Sequence, residues 1–522
     1  MARILPAVAL AIATVLGAAF AGGASAQTPP GVLVVGQIAE PKSLDPHAVT
    51  AVNDFRILVN LYDGLVRYKD GTLEVEPALA VSHEVSDDGL TYTFTLREGV
   101  LFHDGTPLNA EAVVFNFERM LNEDHPFHDT GPFPLSFFFS AVDKVEAVDE
   151  ATVRFTLKEP YAPFLSNLAY PTGLIVSPAA VEAHGADFGR NPAGTGAFRF
   201  ADWTPNQRVV IEKNPDYWDG APPLETVVFR PITDANTRLA EMLSGGIDVM
   251  VETPPDAVAQ FRDDAGFTVY EQAGPHLWFL ILNTKEGPFA DKRIRQAANY
   301  AIDKGALTKD ILQGTAEVAA GPTPPAFAWA HDDTLEPYPY DPEKAKALLE
   351  EAGYDGSPVT FYVTEGGSGM LDPVAMGTAI QADLEAVGMP TEIETYEWNT
   401  YLGLVNPGLE GKADMAEMAW MTNDPDTLPF LTLRSEALPS KGGFNSGYYA
   451  NEEVDALLED ARRATDQAER ATLYKKMQEL VVEDAPWVFV ANWKQNAVTN
   501  DRVSDFKLQP SFFLMLQDVA KN

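Results

Sequence analysis

From Phe289 to Met421 the sequence switches repeatedly between a helical and an extended period, and this alternation narrows the possible folds more than any other feature. Ile294, Ala297, Ala298, Ala301 and Ile302 fall on one face of a 3.6-residue helix. "YDPEKAKALLEEAGY" carries Asp341 as an N-cap, Pro342 at the first helical position, an apolar stripe of Ala345, Leu348, Leu349 and Ala352, and Gly353 past the end. A strand near "VTFYVT", a helix ending at Gly388 with Ile380, Leu384 and Val387 inward, and strands near "TEIETYEW" and "DMAEMAW" follow. Strand, helix, strand in that order requires right-handed crossovers and gives a largely parallel sheet. Two further helices carry Val454, Leu457, Leu458 and Ala461, then Leu473, Met477, Leu480 and Val481.

In an open α/β sheet, ligands bind in the crevice beyond the strands' carboxyl ends. "AWMTNDPDT" (419–427) sits at such an end: Trp420 closes an apolar run, and an amide and two carboxylates come directly after it. Taken alone, Asp424-Pro425-Asp426 reads as a solvated turn. Its place after a sheet strand favours a pocket.

The first half has a different texture. "VLVVGQIAEP" is long enough for a buried strand and precedes a helical "NDFRILVNLYDGLV". From about Tyr68 to Pro192, "DDGLTYTFTL" and "ATVRFTL" alternate in period two, the first opened by an Asp-Gly turn signal, so a smaller β-rich unit is expected there. "NPAGTGAFRF" reads as a glycine-marked crossing back to strands in "RVVIEKN" and "TVVFRPI". A chain of 522 residues exceeds a single core, and two or three lobes are expected.

Residues 1–26 have the layout of a secretory signal: one arginine, an apolar run from Ile4 to Phe20, and a small-residue end that predicts cleavage near Ala26. The absence of cysteine excludes disulfides, thiolate metal sites, a cysteine nucleophile and a lipidated N-terminal cysteine. An exported chain without a lipid tether is expected in the periplasm. With 37 basic against 76 acidic side chains, the net charge of −39 repels phosphate backbones, so nucleic acid is not an expected partner, and it favours a soluble monomer.

Catalytic patterns are wanting. "HPFH" (125–128) has neither cysteines nor an HExxH frame, and "EGGSGM" (365–370) lacks both the GK[ST] ending of a P-loop and the last glycine of a nucleophile elbow. Neither an enzyme nor a metal or cofactor site is expected.

Several segments, in order along the chain, carry a resemblance: "AEPKSLDPH" (39–47), "YDGLV" (62–66), 85–119, "GTGAFRF…W" (194–203), 214–249, "FADKRIRQAANYAIDK" (289–304), "YPYDPEKAKALLEEAGY" (338–354) and "EDAPW" (483–487). They resemble the successive landmarks of the family 5 extracellular solute-binding proteins, the peptide, nickel and opine receptors of ABC importers. The resemblance implies a class II, dipeptide-binding-protein-like α/β fold of two lobes and a hinge. Domain I would comprise 27–67, 193–285 and 491–522, a β-rich domain II 68–192, and an α/β domain III 286–490. Ligand would be enclosed between the lobes and delivered to a permease driven by ATPase subunits.

Short peptides are the ligand the resemblance favours. The alternatives are an opine, a glutathione-like conjugate or a nickel chelate, and, from other classes, a secreted hydrolase or a periplasmic chaperone. In peptide-binding members, a tryptophan at this strand end is followed three residues on by an aspartate that pairs with the ligand's α-ammonium. Here Asn423 stands three residues after Trp420 and Asp424 comes next, and the segment is shorter before its Pro-Asp, so either residue can take that position. The other candidates are Glu40 at a cleft edge, Trp398 and Tyr401 as an aromatic wall, Asn445, Tyr448 and Trp493, and Arg434 for a ligand carboxylate.

Overall fold

The structure, a computed structural model, describes residues 28–367 and 369–522. The expected signal segment lies outside the described residues.

One sheet runs through the molecule. In space its strands follow the order Thr391–Tyr396, Val359–Thr364, Met415–Met421, His276–Leu282, Trp487–Asn500, Val249–Val251, Val32–Gln37, Thr226–Pro231, Arg208–Lys213 and Phe198–Thr204. The sheet is mixed rather than largely parallel: the parallel pairings called for by the strand and helix succession are present, but His276–Leu282 and Trp487–Asn500 run against their neighbours in the centre, and the hairpins through Arg208–Lys213 make the Phe198–Thr204 end antiparallel. Val32–Gln37 runs parallel to Thr226–Pro231, and Val359–Thr364 runs parallel to both Thr391–Tyr396 and Met415–Met421.

The strand Trp487–Asn500 belongs to both lobes. Its first part, Trp487 to Ala491, pairs with Trp278–Ile281, and its second part, Lys494 to Asn500, pairs with Phe267–Ala273. Trp493 lies between these pairings and Ala273–His276 crosses beside it, so the lobes are joined by two adjacent extended segments. His276 ties them together: its Nδ1 accepts from the Trp493 N–H at 3.2 Å, which leaves Nε2–H to donate to the Gly369 carbonyl at 2.8 Å. Burial holds this imidazole down at about 4, consistent with the neutral form that the two bonds require. Strand His276–Leu282, assigned to lobe one by a division at 286, pairs along its whole length with Met415–Met421 and is built into the sheet of lobe two.

The β-rich unit is a four-stranded antiparallel sheet in the order Ala80–Val85, Thr91–Leu96, Thr152–Leu157, Val142–Asp149. Its period-two pattern puts Tyr92, Phe94 and Leu96 inward against Phe117, Phe139, Phe155 and Phe164. Each such ring removed from water contributes on the order of 2 kcal/mol. The Asp-Gly signal is a turn in which Gly89, at φ +69°, donates its N–H to Ser86 O at 2.8 Å. The crossing back at "AGTGA" needs its glycines, because a Cβ on Gly194 or Gly196 would collide with the Leu61 backbone.

In lobe two the helix Pro342–Ala352 begins and ends where its caps require. The Asp341 carboxylate accepts from Lys344 N at 2.9 Å, and Gly353 takes the left-handed conformation at φ +70°. Helix Pro373–Ala386 stops just before Gly388, at φ +91°, and helices Glu452–Arg463 and Gln467–Asp484 start from Asn451 and Asp466 caps.

Candidate ligand-binding cleft

Strand Met415–Met421 delivers Trp420 to the rim of lobe two, and the chain then turns through Thr422 to Asp426 into the short helix Thr427–Thr432. Opposite it, lobe one presents the helix Phe164–Ala169, Tyr170, the aromatic segment Leu135 to Phe138, and Tyr68 and Leu73. Between them lies a cavity of about 180 Å³. Lobe two lines it with Trp420, Met421, Thr422, Asn423, Thr427 and Leu431, Pro275 of the connecting segment adds to that wall, and Ser511 of the C-terminal segment completes the lobe-one side. Its walls are largely apolar and aromatic, with a few neutral hydroxyl and amide groups, the composition of a small-solute site.

The lobes are in contact around this cavity. Asn423 Nδ2 donates to Asn167 Oδ1 at 2.7 Å, Ser166 Oγ donates to Asp424 Oδ2 at 2.7 Å, and Ala162 N donates to Arg462 O at 2.8 Å. The Arg462 guanidinium also lies over the Tyr161 ring at 4.7 Å. This is a closed arrangement, in which groups of the two lobes satisfy one another.

The turn "NDPD" is therefore both a turn and a pocket wall, with the roles divided between residues. Asp424 Oδ1 accepts from Asp426 N at 2.9 Å, fixing the turn, and also from Arg470 Nη2 at 2.8 Å. Asp424 is 1% exposed, does not line the cavity, and already has its counter-ion inside lobe two. Burial opposes the Arg470 charge, but the neighbouring Asp424 carboxylate more than offsets it and holds the guanidinium above its usual range. Asp426 is pushed up to about 6 by burial, with the Asp424 charge adding to the shift and Arg462 and Arg470 working against it. The Asp426 Oδ1 has no hydrogen-bond donor among the described residues.

Of the residues singled out from sequence, Trp420 and Asn423 meet in the cavity, and Asp424 stands directly behind it. The rest are held elsewhere. Glu40 accepts from Trp203 Nε1 at 2.6 Å and Asn206 N at 3.0 Å in lobe one. Tyr401 is fully buried and donates to the Glu417 carbonyl, with Trp398 stacked on it at 6.0 Å. Asn445 bonds the backbone of Arg434 and Tyr449, and Tyr448 packs under Lys285. Arg434 pairs with Glu459 at 2.9 Å, and Trp493 packs on His276 and Phe512 at the hinge. None of the residues singled out from sequence lies in the lobe-one wall. Its one visible signal was "FPLSFFF" (133–139), an aromatic run outside any strand pattern, whose Phe137 is 53% exposed. Among the described residues no group of three or more His, Asp or Glu is placed to hold a metal ion.

A two-lobed α/β molecule with a central cleft and a shared strand is also what comparison with known proteins returns. Bacterial extracellular solute-binding proteins, family 5, match residues 74–439 through the family's middle region. The chain belongs to this family. This family 5 protein is 33% identical over 510 residues to di/tripeptide-binding protein 2 of Pseudomonas aeruginosa, covering 94% of this chain and 95% of that one. It is 36% identical over 473 residues to heme-binding protein A of Haemophilus influenzae, covering 86% and 85%. The solved structure of HbpA2 from Haemophilus parasuis matches this family 5 chain with a TM-score of 0.87 at 31% identity, covering 94% of this chain and all of the other. The relatives are solute-binding proteins, and the two-lobed fold expected from the sequence is theirs.

Proposed function

We propose that the protein is the periplasmic receptor of an ABC importer and captures short peptides between its lobes for delivery to a membrane permease with its ATPase subunits. The observation that carries this reading is the cavity at the lobe interface, where Trp420 and Asn423 of lobe two face Tyr68, Phe138 and Tyr170 of lobe one. A ligand touching both walls stabilises the closed form by the contacts that the open form lacks, which gives the permease a distinct shape to recognise. Export by the signal segment, cleavage near Ala26, a monomeric state and the absence of a lipid anchor belong to this reading, as does its non-enzymatic character. The similarity to a di/tripeptide-binding protein supports the ligand class.

A second reading, the same role for a non-peptide solute such as an opine or a glutathione-like conjugate, is favoured by one observation. Asp424, a candidate partner for a peptide ammonium, is already paired with Arg470. Native mass spectrometry of gently purified mature protein distinguishes the two. A ladder of small-peptide masses released on denaturation supports the peptide receptor, and a single non-peptide mass keeps the importer role and transfers the specificity.

A further inference from the structure

We infer that the cleft encloses an uncharged, ring-bearing portion of its ligand and that Ser511 supplies a hydrogen bond that fixes it. The inference rests on reading this cleft as the ligand site. None of the side chains lining the cavity is acidic, basic or a histidine. The nearby charges are compensated within the protein: three donors hold Asp424, namely Arg470 Nη2, Asp426 N and Ser166 Oγ, and two of these belong to its own lobe and stay with it when the lobes part. An ammonium or carboxylate drawn into the cavity would lose its hydration and gain no opposite charge, so the site discriminates against it.

What the walls offer instead is aromatic surface from both lobes. Phe138 meets Tyr170 edge to face at 5.7 Å, and Trp420 faces them across the gap, so a ring or bulky apolar group inserted there gains offset or edge contacts on several sides. Ser511 is 7% exposed, and its hydroxyl has no hydrogen-bond partner among the described residues. It lines the main cavity and also a smaller chamber of about 30 Å³ within lobe one, shared with Tyr68 and bordered by Gln509 and Phe513. The ionic groups of that chamber are likewise engaged, Asp63 by Thr195, Tyr217 and Trp218, and Arg67 by Glu76 and Asp219. A buried hydroxyl between an uncharged cavity and a chamber whose charges are already paired is suited to a ligand carbonyl or amide. The preferred ligand is thus a peptide-like amide whose charged ends are blocked or remain outside the cavity.

Calorimetry on mature protein stripped of ligand by unfolding and refolding tests this with three principal probes, N-acetyl-Ala-Phe amide, zwitterionic Ala-Phe and Ala-Asp, and with N-acetyl-Ala-Leu amide as a fourth for one variant. The blocked probe should bind as tightly as Ala-Phe, within threefold, and Ala-Asp at least tenfold more weakly than either. Ser511→Ala should weaken the blocked probe about tenfold with an unchanged melting temperature for the stripped protein. Phe138→Leu, a second variant, should weaken the blocked probe more than N-acetyl-Ala-Leu amide. A tenfold or greater loss on blocking the termini overturns the inference and leaves the peptide receptor standing. Failure of all three probes to bind overturns both, and an unaltered affinity in Ser511→Ala removes Ser511 from the site.

Discussion

Asp424 and Arg470 are a buried pair, 1% and 9% exposed at their side chains, and the consequences of breaking it differ from those of losing a surface ion pair. Removing the carboxylate leaves a guanidinium stranded away from water, the costly half of a buried salt bridge. Asp424→Ala is therefore expected to lower the unfolding free energy by about 3 kcal/mol, measurable as a reduced urea midpoint at unchanged slope. Asp426 makes the opposite prediction. Its carboxyl titrates at about 6 in the folded protein, raised by burial from 3.8, so the folded state holds the proton more tightly than the unfolded chain. Its contribution to stability is full below pH 4, falls as pH rises through 6, and is a net cost above that. Asp426→Asn should therefore stabilise the protein at pH 7 by about 1–3 kcal/mol, with the gain vanishing near pH 4. Paired thermal melts at the two pH values check both the sign and the window. Arg462, Arg470, Asp424 and Glu459 face the same group and set the size of the effect.

Among elements, the short helix Phe164–Ala169 and the turn after strand Met415–Met421 form the lobe-to-lobe contact. Ser166 and Asn167 reach Asp424 and Asn423 from adjacent helical positions. A hydrogen bond made only in the closed form adds about 1 kcal/mol to closure, and where the stripped protein is mainly open this appears in the apparent affinity. Ser166→Ala is expected to raise the ligand's Kd about fivefold while leaving the melting temperature of the stripped protein nearly unchanged. An equal affinity would mean that this contact does not contribute to closure. Elements with local signals were legible from sequence: Asp341, Pro342 and Gly353 bound one helix, and Thr91–Leu96 alternates as its burial does. Strand His276–Leu282 was harder to assign, because a continuous apolar run carries no mark of which lobe it pairs with.

At the scale of the molecule, Trp487–Asn500 is a single strand shared by two lobes, and its neighbour crossing at Ala273–His276 gives a narrow double connection about which the lobes can turn. The order of lobes followed from alternation and resemblance, whereas half of the cleft did not. Tyr68, Leu135, Phe138, Tyr170 and Ser511 come from widely separated parts of the chain and meet only through tertiary folding. Glu40, Asn445 and Arg434 were candidates through the family resemblance and their polar chemistry, and the same chemistry lets each serve as an internal brace here. The chain contains no cysteine, so two introduced ones can carry spin labels without background. Val81 on the β-rich unit and Val374 on lobe two are 46% and 44% exposed and belong to different lobes. The most direct test of ligand enclosure by lobe closure is the distance distribution between labels at Val81→Cys and Val374→Cys, recorded on stripped protein and again with saturating ligand. A broader, longer distribution is expected when stripped and a single narrow, shorter one with ligand. Superimposable distributions would contradict it.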